Sequence, residues 1–152
     1  MNNKGFTLIE VLAVLVILSI IFISMVSLDV FKTVDNTKNA SFVSNARIII
    51  SKAETMYNNE RTMDNLETLN NKIYLKDING IDNISDPYDG TLDMDNSYVL
   101  FKDTEENNVL VTKSYIYLKT CKDRLCHVIG SSSDPVYDAD LNYKDVKEEN
   151  NN

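Results

Sequence analysis

KGFTLIEVLAVLVILSIIFISMVSL, Lys4 to Leu28, decides how the rest of the chain is read. From Val11 to Leu28 it runs 18 residues without a charge, interrupted only by Ser19, Ser24 and Ser27. At about 1.5 Å per residue such a run, folded as a helix, approaches the roughly 30 Å hydrocarbon thickness of a bilayer. Val, Ile and Leu make a mediocre helix in water, but in lipid the backbone must satisfy its own hydrogen bonds, so helix wins. Lys4 and the terminal amine lie on the short side and an acidic remainder follows, which sets the N-terminus in the cytoplasm and the bulk outside. A cleaved secretory signal fits poorly, because its apolar region is only ~7–15 residues and ends in a small-residue cleavage site. Neither that signal nor a plain anchor accounts for Glu10, a carboxylate at the edge of an apolar run.

Outward from this segment the composition changes. The chain has 152 residues, enough for one domain beside a membrane segment. Its residues are 43% hydrophobic and 25% charged, a globular balance, but Met1 to Phe31 holds a large share of the apolar ones. The formal net charge of -8 repels phosphate backbones, so no direct nucleic-acid binding is expected. One histidine, two cysteines and four glycines leave no metal-ligand cluster and no phosphate loop, and no nucleophile has a base arranged around it. The sequence does not read as an enzyme.

The stretch KGFTLIEVLAVLVIL, Lys4 to Leu18, resembles the N-terminal signal of the type IV prepilin family, which includes secretion and competence pseudopilins. The resemblance covers about a fifth of the chain and implies an export and assembly class. It implies that a prepilin peptidase cuts after Gly5 and methylates the new terminus, Phe6. It also implies that Glu10 pairs with the N-terminal amine of a neighbouring subunit. Physically that pairing compensates two charges in low dielectric, and only one axial stagger achieves it. The alternative is that Glu10 sits at the headgroup level at little cost. The chain departs from many family members in having Ser27 where they carry a helix-bending proline, and no proline precedes Pro87. Ser24 and Ser27 can bend a helix slightly by bonding back to carbonyls.

No Gly or Pro interrupts the chain between Phe6 and Tyr57. Val34, Phe42, Val43, Ala46, Ile49, Ile50, Ala53, Met56 and Tyr57 follow helical spacing, an amphipathic stripe suited to packing on a sheet. Asn58 to Arg61 reads as a stop, and Met63 to Leu69 as a short helix. Strand patterns follow at Ile73 to Leu75, Tyr98 to Lys102, Val109 to Val111, Ser114 to Lys119 and Cys126 to Ile129, with Asn107-Asn108 as a turn. The expected fold is α+β, a long N-terminal helix packed on a small antiparallel sheet. The expected divisions are a leader at 1–5, a membrane and filament-core helix at 6–28, its amphipathic continuation at 29–57, a head at 58–143 and a disordered polar tail at 144–152.

Cys121 and Cys126 bracket KDRL. A metal half-site needs two more ligands and only His127 is near, so in an exported domain a disulfide stapling a tight loop is the natural reading, with two free thiols as the alternative. Asp86, Asp89, Asp93 and Asp95 crowd a turn-rich stretch, Asp86 to Asn96. No cofactor is expected, but these four are candidate Ca²⁺ ligands, as in the Asp-rich loop of some pseudopilins. The alternative is a hydrated turn built on Asp-Pro and Asp-Gly.

Taken together, the expectation is a pilin-like subunit that polymerises through its helix, or a pseudopilin of a secretion or DNA-uptake system. A monomeric membrane-anchored surface protein is the remaining alternative. The partners implied by the resemblance are other pilin subunits, the prepilin peptidase, an assembly platform with its ATPase, and membrane lipid before assembly.

Overall fold

Helical spacing over an uninterrupted stretch produces one helix, α1, at Leu8–Arg61. The structure, a computed structural model, describes residues 7–61 and 71–151, and among them all side chains except those of 25–29 and 61. The short helix expected at Met63 to Leu69 lies outside the described residues. The helix continues through Asn58 to Arg61, the stretch read as its stop: asparagine is a poor helix former but keeps its backbone N–H, so the penalty is only tenths of a kcal/mol to about 0.7.

The chain divides into two units, Met1–Thr37 and Lys38–Asn152. In the first, the large apolar side chains from Leu8 to Ile23 are all exposed, from 46% at Ile21 to 87% at Leu8. Ser19 and Ser24 donate back to the carbonyls of Leu15 and Ile20, at 2.7 and 2.8 Å. Ser24 thus behaves as its sequence suggests, while the Ser27 side chain is not among those described.

The second unit is built where the stripe of α1 meets a sheet. Strands β1 (Lys72–Tyr74), β2 (Thr91–Leu92), β3 (Tyr98–Glu106), β4 (Val109–Lys122), β5 (Leu125–Ile129), β6 (Val136–Tyr137) and β7 (Val146–Asn150) form it. The order is β1-β3-β4-β5-β7, with β2 and β6 also paired to β4, and every pairing is antiparallel. Phe42, Ala46, Ile49, Ile50, Ala53 and Tyr57 of α1 are buried against Ile73, Val99, Phe101, Ile116, Leu118 and Ile129. Tyr57 stacks on Phe101 with centroids 4.3 Å apart. Val34, expected on the same stripe, is 45% exposed.

Alternation carries β3 and β4 together in continuous register from Tyr98↔Tyr117 to Glu106↔Val109. Asn107 and Asn108 both adopt positive φ, 53° and 62°, the left-handed pair that a two-residue hairpin turn requires. The two strands expected at Val109 to Val111 and Ser114 to Lys119 are one. Thr112 and Lys113 are polar on both faces yet keep the ladder, because backbone pairing is indifferent to side chain: Thr112 donates to Asp103 and Lys113 pairs with Glu106.

The polar tail is a second correction. Residues 144–152 read as disordered, but Val146–Asn150 pairs with β5 from Leu125↔Asn150 to Ile129↔Val146. Asn142 and Asp145 bond reciprocally, as a capping box, around the 3-10 turn Tyr143–Asp145 that leads into β7. An edge strand needs one apolar anchor and a free ladder partner; Val146 supplies the first and β5 the second.

Candidate functional site

The start of α1 is organised by Thr7. Its carbonyl accepts the amides of Glu10 and Val11 at 3.1 and 3.2 Å, which opens the helix. Glu10 Oε2 accepts from both the Thr7 amide and the Thr7 hydroxyl at 2.9 Å, and Thr7 Oγ1 accepts from the Glu10 amide at 3.4 Å. This reciprocal arrangement is the capping box, in which a threonine and a glutamate three residues on satisfy each other's orphan donors. The sequence signal was present as Thr7-Leu8-Ile9-Glu10, and Thr7 is the participant that the spacing of charge alone overlooks. Within the single chain the Glu10 carboxylate thus has donors in Thr7, besides the neighbouring amine that the resemblance implies for it. Gly5 and Phe6, the expected cleavage and methylation positions, lie outside the described residues.

Among the described residues no helix is long and apolar enough to cross a membrane. The expected span, Val11 to Leu28, has exposed apolar side chains through Ile23 and then enters residues 25–29, whose side chains are not described.

The remaining candidates lie in the second unit. Cys121 and Cys126 are directly opposite on β4 and β5, with Cα atoms 4.1 Å apart, and are joined as a disulfide. That spacing belongs to the closer, non-hydrogen-bonded type of antiparallel pair. The turn between the strands uses Asp123 at φ 55°. His127, the one possible further ligand near the cysteines, stacks on Tyr88 at 3.6 Å between centroids, and its Nε2 lies 3.6 Å from Glu148.

The four aspartates do not converge. Asp86 Oδ2 accepts from the Thr120 hydroxyl at 2.5 Å and the Gly90 amide at 2.7 Å, and its Oδ1 from the Tyr88 amide. Asp89 faces Lys122, Asp95 faces Lys76, and Asp93 accepts from Asn96. Each carboxylate is thus committed to a donor or cation of the protein. Among the described residues there is no group of three or more His, Cys, Asp or Glu side chains placed to hold a metal ion.

An apolar helix that opens on a threonine–glutamate box and continues into the core of an antiparallel head is a pilin-like arrangement. The family model of the prokaryotic N-terminal methylation motif matches residues 1–26, so this segment carries the signal of type IV pilin and pseudopilin precursors. No curated protein and no solved structure matches the chain.

Proposed function

We propose that the chain is a structural subunit of a type IV pilus-like filament, made as a precursor and polymerised through its N-terminal helix. The match of residues 1–26 to the methylation motif carries this reading. Prepilin peptidase removes residues 1–5 by cutting after Gly5 and methylates Phe6. Before assembly residues 6–28 hold the subunit in the membrane, where the exposed apolar side chains from Leu8 to Ile23 meet lipid; in the filament they meet the same segment of other subunits. The head faces outward at the cell surface, and an assembly platform with its ATPase supplies the work. The exposed apolar surface is consistent with this: so continuous a row on a single helix requires lipid or protein around it.

Mass spectrometry of the chain recovered from sheared filaments tests the proposal. The expected mature terminus is an N-methylated Phe6. A terminus at Met1, or one beyond Leu28, overturns it. Gly5→Leu is expected to leave the precursor uncut, since a side chain there obstructs the peptidase.

A further inference from the structure

The face of the sheet turned away from α1 has a charge opposite to that of the whole molecule. In β4 the run KSYIYLK, Lys113 to Lys119, alternates: Ile116 and Leu118 enter the core, so Lys113, Tyr115, Tyr117 and Lys119 share the other face. Register extends that face sideways. Lys102 stands opposite Lys113, Tyr98 opposite Tyr117, and Tyr137 opposite Tyr115. Lys72 joins it from β1 and Lys147 from β7. Glu106 and Glu149 are the acids that the strands place there, and Asp93 lies near enough to act on Tyr117, against five lysines in a chain of net charge -8.

Two details set this face apart from an ordinary solvated one. Lys102 and Lys113 are direct cross-strand partners, and like charges so placed destabilise a sheet. Lys113 is offset by its ion pair with Glu106, which leaves Lys102 as the exposed, unoffset charge of the two. Three of the five lysines are also held over rings. Lys72 Nζ lies 3.6 Å from the Tyr98 ring centre, Lys102 Nζ 4.7 Å from that of Tyr115, and Lys113 Nζ 5.4 Å from that of Tyr137. Tyr98 and Tyr117 are buried beneath, while Tyr74, Tyr115 and Tyr137 remain half-buried and present ring surface. Ammonium groups fixed over rings lose little freedom when an anion arrives.

We propose that this lysine–tyrosine face binds a carboxylated polysaccharide. Charge complementarity selects an anion, and the rings between the lysines select a polymer with apolar C–H faces between its charges. Along β4, Lys113 and Lys119 are six residues and so roughly 20 Å apart, with the half-buried ring of Tyr115 between them. Sparse charge fits that spacing. Duplex nucleic acid, with a charge every ~1.7 Å, would bring dense negative potential against an acidic molecule. The proposal does not rest on filament assembly, because one copy carries the whole face.

The full chain in detergent micelles, titrated with fluorescent hyaluronate beside neutral dextran and a short DNA duplex, tests it. Hyaluronate is expected to bind at low salt and to weaken as salt rises, and dextran is expected not to bind. The double variant Lys102→Gln, Lys119→Gln is expected to weaken hyaluronate about tenfold or more, while Lys122→Gln, Lys144→Gln leaves it unchanged. Bound hyaluronate should also protect Lys102 and Lys119 of the unaltered protein from amine acetylation, a readout that needs no variant to fold. Absence of hyaluronate binding, absence of protection, equal binding by the double variant, equal binding of dextran, or tighter binding of the duplex overturns the proposal.

Discussion

Gly90 and Asp86 show how single residues lock the loop between β1 and β2. A Cβ on Gly90 would lie 2.7 Å from Asp86 Oδ2, 2.8 Å from the Cys121 carbonyl and 2.9 Å from Thr120 Oγ1. The Cys121 carbonyl belongs to β4 and cannot swing aside as a side chain can. Gly90→Ala should therefore cost about 1–3 kcal/mol through forced displacement. Thermal unfolding followed by circular dichroism checks this, and an unchanged melting temperature would show that the loop is not pinned to β4. Tyr117 offers a pH test. Burial raises the pKa of its hydroxyl, helped by the charges of Glu149 and Asp93 and by Tyr98. Because the folded value is the higher one, this share of stability is complete below the unfolded value near ~10 and is lost as pH rises through the folded value. Tyr117→Phe should make the alkaline fall in melting temperature shallower. An equally steep fall would assign the alkaline loss to other groups.

At the scale of elements, the β4–β5 hairpin is closed by Cys121 and Cys126 at its non-hydrogen-bonded pair. Thiol labelling of the denatured, unreduced protein should find no free cysteine. Replacing both by serine should lower stability by about 2 kcal/mol, since the closed loop is short and the chain-entropy gain small. Labelling of either cysteine would refute the pairing in the protein as isolated. How far such elements were legible depended on whether side chains or backbone define them. The stripe from Phe42 to Tyr57 and the alternation of β3 and β4 are side-chain patterns that give the helix and the paired strands, though Thr112 and Lys113 split β4 in two, and Asn107-Asn108 gives the turn by residue type. The bridges β2 and β6 are two residues each and too short to alternate. Strand β7 is made by ladder hydrogen bonds to β5 around Val146, which a run of Lys, Glu and Asn conceals. The candidate site divides in the same way. Glu10 stands out by its charge, whereas Thr7, a neutral residue at a cap, is found only by asking where the first amides of the helix go. The four aspartates crowd together in sequence, while in the structure each has a separate partner.

For the whole molecule, the capping box changes what a test of assembly must separate. In a single chain Glu10 is held by the amide and hydroxyl of Thr7, so replacing it has two effects: the helix start loses an acceptor, and the apolar segment loses a charge. Glu10→Ala removes both. Glu10→Gln keeps an oxygen to accept from Thr7 and removes only the charge. If polymerisation depends on Glu10 compensating the Phe6 amine of a neighbour, both variants leave that amine unpaired at every repeated contact in a low-dielectric core. The isolated subunit should tolerate either change, because an uncharged residue replaces a carboxylate beside an apolar run. Both variants are therefore expected to be cut after Gly5 and to accumulate in the membrane, yet to yield no sheared filaments. Filaments from Glu10→Gln alone would mean that the cap, and not the charge, is what assembly needs. Normal filaments from both, in cells without the wild-type chain, would remove the mechanism. The assay must follow this chain itself, because in filaments built mainly from a different subunit the same defect would register as lost incorporation.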